Sequence, residues 1–249
     1  MDTINRALLM HERRLFPKER TLLDDTILAI GGSLSPERLL AGYSLGIFPW
    51  YDSESPILWW SVQPRCILPL DAFHIPKRSS RAIRNAHFTL TLDQDFPSVI
   101  QNCARPRPGE AGTWIVPEMK RAYTRLNELG YAHSIETWKD GELVGGLYGV
   151  GLGRAFFGES MFHTVSEASR AALAGLVALL RYRGATLLDC QQDTPHMLRM
   201  GAKLIRHEDF ILHLERAGLG FGVPTCDFSP WAERYTWSCA SLSWSVKSK

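Results

Sequence analysis

Asp140-Gly141, set between two strand-like runs, constrains this chain more than any other feature. A two-residue hairpin turn needs positive φ at its centre, and Asp-Gly supplies it at little steric cost. His133–Trp138 and Glu142–Val150 are therefore expected as antiparallel strands, with Arg154–Phe157 following as a third. Thr164–Arg183 carries the clearest helical pattern. Leu173, Leu176, Val177 and Leu180 form its apolar face, Thr164 or Ser166 can cap it, and Gly184 stops it. Thr186–Gln191 reads as a buried strand and Pro195–Met200 as a short helix. Upstream, Phe88–Leu92 alternates like a strand, while Phe96–Cys103 and Pro117–Leu129 read as helices. This order predicts an α+β fold around a mostly antiparallel sheet.

Residues 21–69 differ, being rich in Gly, Pro, Trp and Tyr. Ser35-Pro36-Glu37 reads as a capped helix start leading through Leu39, Leu40 and Tyr43, and the prolines from Pro49 to Pro69 favour loops and short strands. The chain of 249 residues fits one or two domains at roughly 150 residues each. Its 28 Lys and Arg against 26 Asp and Glu give a net charge of +2, so contact with nucleic acid needs a local patch. Five scattered cysteines without a Cys-x-x-Cys pair argue against a disulfide framework or a zinc site, and for a reducing cytoplasm. Met1–Arg20 lacks the apolar core of a leader, and no apolar run reaches the ~18 residues of a membrane span. A monomer is the expected state.

Several constellations bear on chemistry. The glycines from Gly145 to Gly153 have neither the Gly-Lys-Ser/Thr of a phosphate loop nor the third glycine of a dinucleotide fingerprint. Glycines inside paired strands instead mark close approach of another backbone or a ligand. In Asp189-Cys190-Gln191, strand alternation puts Asp189 and Gln191 on one face and Cys190 on the other. A carboxylate after the apolar run Thr186-Leu187-Leu188 must be hydrogen-bonded or used. Glu159, between Phe156-Phe157 and the helix, is either a helix-capping residue or a second acidic group of a site. Lys77, Arg81 and Arg84, with Arg78 beside them, share one helical face and make either a solvated surface or a phosphate contact. Trp50, Tyr51, Trp59, Trp60 and Trp114 either stack on bases or pack a core. The eight histidines show no metal-ligand spacing, and no Gly-x-Ser-x-Gly elbow occurs.

Taken in order, these segments resemble a known family. They are Gly31-Gly32-Ser33-Leu34-Ser35-Pro36, Gly46-Ile47-Phe48-Pro49-Trp50, Pro56-Ile57-Leu58-Trp59-Trp60-Ser61, Gly112-Thr113-Trp114-Ile115, His133-Ser134-Ile135-Glu136, Leu143 through Gly149, Gly158 through Phe162, and Asp189-Cys190-Gln191. Together they resemble the leucyl/phenylalanyl-tRNA–protein transferases over about residues 20–230.

The resemblance implies a small N-terminal domain (1–64), a catalytic domain with the fold of the GCN5-related acyltransferases (65–232), and a C-terminal tail (233–249). It implies transfer of Leu or Phe, with Met a further candidate, from aminoacyl-tRNA to the α-amine of proteins led by Arg or Lys, marking them for N-degron proteolysis. No cofactor and no metal are implied. Asp189 and Gln191 match the family's catalytic pair, either assisting deprotonation of the amine or positioning it, and Glu159 matches an active-site carboxylate. Leu147, Phe156, Leu173, Leu176 and Leu188 match the aminoacyl side-chain pocket, although Leu188 should face away from its neighbour Asp189 in a regular strand. Trp50 and Trp114 match adenosine platforms with Tyr43 and Tyr123 nearby, and Lys77, Arg78, Arg81 and Arg84 match a tRNA-contacting helix. Ser33, Val62 and the tail from about Ala232 depart from the family pattern. An acyltransferase using acyl-CoA is the main alternative, and the residues before Thr164 lack the glycine-rich pyrophosphate turn it needs. A non-catalytic tRNA-binding module is the second.

Overall fold

The computed structural model describes residues 26–106, 112–220 and 236–238. In chain order the elements are β1 (Ile27–Ile30), α1 (Pro36–Ser44), β2 (Phe48–Pro49), β3 (Leu58–Trp60), β4 (Arg65–Ile67), α2 (Lys77–Asn85), β5 (Thr89–Leu92), α3 (Phe96–Cys103), α4 (Pro117–Glu128) and β6 (Ala132–Lys139). There follow β7 (Glu142–Leu152), β8 (Ala155–His163), α5 (Ala168–Tyr182), β9 (Leu187–Gln191), α6 (Pro195–Leu198), β10 (Lys203–Ile205), α7 (His207–Arg216) and β11 (Thr236–Ser238).

The helix starts follow their local chemistry. Ser35 accepts the Arg38 N–H at 3.3 Å with Pro36 in the first turn, and Asp95 accepts the Ser98 N–H at 3.1 Å. β1, β3 and β2 form a small antiparallel sheet, while the remaining strands make one eight-stranded sheet in the order β10-β4-β9-β8-β7-β6-β5-β11. Every pairing in it is antiparallel except β8 with β9, which α5 connects as a crossover. The mixed α+β reading therefore stands. β11 lies within the stretch expected as a tail, and it adds an edge strand beside β5.

Each face of the large sheet is covered. Leu173, Leu176 and Leu180 of α5 pack against Leu147, Phe156 and Leu188. On the opposite face one core joins the N-terminal unit to α3, α4 and α7, through Tyr43, Phe48 and Trp59 with Val99, Tyr123, Phe157 and Phe210. The glycines of β7 mark close approach. A Cβ at Gly145 would stand 2.6 Å from that of Ala168, and one at Gly149 would stand 2.2 Å from the Phe157 carbonyl oxygen.

Two expectations need correction. β8 does not end near Phe157 but runs on to His163, so Glu159 is a strand residue and caps no helix. The following helix begins at Ala168, after Glu167 at φ 72°, and neither Thr164 nor Ser166 caps it. Thr164 is still tied to the strand edge, its backbone N–H and its hydroxyl both donating to the Val144 carbonyl.

Candidate active site

A slip in the sheet aims Glu159. Tyr148 pairs with Ser160 and Gly149 with Gly158, leaving Glu159 as an extra residue in β8. Such a bulge bends the strand and redirects the inserted side chain. It also shifts the alternation, so that Met161 joins the face of Leu147 while Phe162 packs on the other. The Glu159 carboxylate accepts from Tyr43 Oη and Gln191 Nε2, both at 2.8 Å, and from Tyr123 Oη at 3.3 Å. The two tyrosine hydroxyls are hydrogen-bonded to each other. Burial pushes the Glu159 pKa up to about 7, against the pull of these three donors, and the charge of Asp189 adds to the rise. Burial and the nearby Glu159 charge push the Tyr43 and Tyr123 phenols well above their ordinary value, so both stay neutral donors.

β9 carries the second carboxylate. Leu188 faces the α5 side, and Asp189, fully buried, faces the N-terminal unit. There Arg65 Nε donates to Asp189 Oδ1 at 2.9 Å and Nη2 to Oδ2 at 2.6 Å. Asp189 and Gln191 were expected to project together. Their contact instead runs through the backbone, the Gln191 N–H donating to Asp189 Oδ1 at 2.9 Å. The register slips here too: Ile67 pairs with Asp189 and Cys66 with Gln191, so Cys190 is the extra residue. Gln191 lies at φ 61°, outside strand geometry, and this turns its side chain to Glu159 rather than to Asp189. Sequence reasoning passed over Arg65. Its signal was a carboxylate after an apolar run, which needs a cation or hydrogen-bond donors, together with an arginine inside the apolar run from Pro64 to Leu68.

Two cavities meet at Glu159. One, of about 790 Å³, is lined by Trp50, Trp114, Thr113, Gln191 and Glu159. The other, of about 780 Å³, is lined by Leu147, Met161, Leu173, Leu176 and Leu188, again with Glu159. Ser160, Cys190 and Gln192 also line both. Leu188 reaches the apolar cavity because Asp189 points the other way, so the tension between these neighbours dissolves. Phe156 does not line that cavity and belongs instead to the apolar cluster of the leucines that do.

Other expected residues lie elsewhere. Tyr43 and Tyr123 have no exposed surface and line neither cavity, so their rings offer no free face to a base. Trp59 is a core residue that donates to the Gly31 carbonyl at 3.0 Å. Trp50 is half-buried and packs at 5.3 Å from Trp60. Lys77, Arg78, Arg81 and Arg84 are all exposed on α2, which buries Ser79 and Ile83 beneath them, and none lines either cavity. Among the described residues no cluster of three or more His, Cys, Asp or Glu has the arrangement of a metal site.

Comparison with known proteins adds an independent line. Residues 67–215 match the family model described as leucyl/phenylalanyl-tRNA protein transferase, and residues 32–63 match the model of its N-terminal domain. The leucyl/phenylalanyl-tRNA–protein transferase of Nitratidesulfovibrio vulgaris is 51% identical over 230 residues, covering 90% of this chain and 98% of the relative. The transferase of the same description from Azoarcus sp. is 52% identical over 201 residues, covering 80% of this chain and 86% of the relative. The solved structure of L-PGS from Bacillus licheniformis aligns over 50% of this chain and 43% of that one, at 16% identity and a TM-score of 0.36, too slight a likeness to establish a fold.

Proposed function

Because the chain belongs to the leucyl/phenylalanyl-tRNA–protein transferases, aminoacyltransferases that work from tRNA to protein, we propose that it moves Leu or Phe, with Met a further candidate, onto the α-amine of proteins led by Arg or Lys. The product is a protein led by a bulky apolar residue, which we assign to N-degron proteolysis in the cytoplasm. We further assign the catalytic unit the GCN5-related acyltransferase fold, which the antiparallel sheet with its single β8–α5–β9 crossover supports. No described helix is long and apolar enough to cross a membrane.

One observation carries the reading: an aromatic cavity and an apolar cavity open onto the same carboxylate, Glu159, to which the Gln191 amide donates from the aromatic side. A terminal adenosine stacked by Trp50 and Trp114 in the first would leave its ester at the junction, with the Leu or Phe side chain among Leu147, Leu173, Leu176 and Leu188. Phe156 packs in the same apolar cluster as those leucines. Such a pocket separates side chains by about 1–3 kcal/mol per methylene, which leaves room for Met. The ester is already activated, so the protein has to orient two substrates and manage one proton. An α-ammonium has a pKa of about 7.7–8.0, within reach of a carboxylate near 7. Glu159 therefore draws the basic acceptor into the junction, and Gln191 aligns its amine. Asp189 and Arg65 hold Gln191 from behind without touching substrate, which favours positioning over deprotonation for the Asp189–Gln191 pair. Lys77, Arg78, Arg81 and Arg84 hold the tRNA body through its phosphates, with little base specificity.

The test is transfer of labelled Leu and Phe from charged tRNA to peptides that begin with Arg, Lys or Ala. Label on the Arg and Lys peptides alone is the expected result. Equal labelling of the Ala peptide would remove the acceptor assignment, and no transfer at all would remove the whole reading.

A further inference from the structure

Arg65 lines neither cavity, yet it grips Asp189, which in turn holds the Gln191 backbone at their junction. Its side chain is 1% exposed, and its guanidinium carbon stands 5.0 Å from the ring centre of Phe48 and 4.6 Å from that of Phe210. Two of its nitrogens grip Asp189, while Nη1, also buried, has no hydrogen-bond partner among the described residues. A buried ion pair is a poor device for stability, since an apolar pair of similar volume often does as well, and an unmatched N–H adds cost. What the pair provides is direction. The Asp189 oxygen held by Arg65 Nε also accepts the Gln191 N–H, and Gln191 is in a left-handed conformation that a non-glycine residue adopts only at a cost. Something must hold it there, and Asp189 is the group in contact. From that conformation the Gln191 amide reaches Glu159 at 2.8 Å. The clamp also ties Phe48 of β2, two residues before Trp50, to Asp189 of β9.

We propose that Arg65 is a positioning residue for the acyl transfer: stacked between Phe48 and Phe210, it fixes Asp189 so that Gln191 stays left-handed with its amide on Glu159. This rests on the transfer function proposed above. It makes Asp189 an anchor for the Gln191 backbone.

The test compares the full-length wild type with Arg65→Gln, Arg65→Lys, Asp189→Asn and the double variant Arg65→Gln/Asp189→Asn. Transfer from Phe-tRNA to an Arg-led peptide is measured, and hydrogen exchange at the Gln191 N–H is followed by NMR. Arg65→Gln is expected to lower kcat about 10²-fold, since misplacement near 1 Å costs that much. KM for Phe-tRNA should stay within about twofold of wild type. Gln191 exchange should rise about tenfold or more, while the amides of β6 and β7 keep their protection. Arg65→Lys, which keeps the charge and loses the bidentate fork, should fall between. The double variant, in which two amides face each other, should recover at least about tenfold in kcat over Asp189→Asn, as coupled neighbours do. Unchanged kcat or unchanged Gln191 exchange in Arg65→Gln would overturn the proposal. So would a double variant no better than Asp189→Asn, or protection lost across the whole sheet. If the wild type transfers nothing, the function fails, and the Gln191 exchange alone still decides whether Arg65 holds that backbone.

Discussion

Two carboxylates stand on the neighbouring strands β8 and β9, and their surroundings make them different reagents. Asp189 of β9 meets a guanidinium with two matched bonds, on the face shared with the N-terminal unit. Glu159, in the β8 bulge, meets only neutral donors among its hydrogen-bond partners: two phenols and an amide. The first charge is neutralised where it lies. The second is desolvated without a cation, and its pKa rises to about 7. Burial by itself therefore does not mark a reactive acid; the partner decides.

The largest expected effect comes from breaking the paired side. Asp189→Ala leaves Arg65 buried without its counter-charge, a loss of about 3–5 kcal/mol in stability. It also frees the Gln191 backbone, so transfer should fall at least about 10²-fold. Denaturant unfolding and steady-state transfer measure the two.

Next comes Glu159→Gln, which sharpens the contrast. Only the ionised form attracts a cation or takes a proton, so wild-type transfer rises with pH through about 7 and is lost below it. The variant should lose that limb, keep the limb of the amine near 7.7–8.0, and show a raised KM for Arg-led peptides. An unchanged KM would take Glu159 out of acceptor recognition. Stability runs the opposite way. A carboxyl whose folded pKa is raised from 4.5 to about 7 favours the fold while protonated, and that advantage disappears as pH rises through 7. At pH 8 the variant should therefore be more stable than wild type by roughly 1–3 kcal/mol, read as a higher Tm.

A smaller effect is expected in the aromatic cavity. Trp114→Ala removes one stacking face and should weaken Phe-tRNA binding by about 1–3 kcal/mol, seen in KM far more than in kcat. Smallest is the outer helix: Lys77→Ala or Arg81→Ala should lower tRNA affinity a few-fold. Each should also reduce the slope of log affinity against log salt by about one.

The sheet was largely legible from the sequence, because Asp140-Gly141 sets the hairpin turn and its first pairs, although the register then slips at Val144. The site was legible wherever side chains follow strand or helix periodicity, as Leu173, Leu176 and Leu188 do. It became illegible at the irregularities. No periodicity shows that Glu159 is an inserted residue in β8, since a bulge depends on the partner strand, where Gly149 leaves the room. The same holds for Gln191, whose left-handed backbone depends on Asp189 and thus on Arg65, far away in sequence. Tyr43 and Tyr123 were placed by their neighbourhood in the motifs, but their hydroxyls, rather than their rings, face the site. Thr164 looked like a helix cap because its residue type suits one, yet the Val144 carbonyl already claims it.

The central claim is that Glu159 ionises near neutral pH at the meeting point of the two cavities. Following the 13C signal of its carboxyl carbon by NMR through a pH titration tests this most directly. A midpoint at about 7 is the expected result. A midpoint in the ordinary glutamate range, about 4.3, would show a solvated carboxylate with no special place in the transfer.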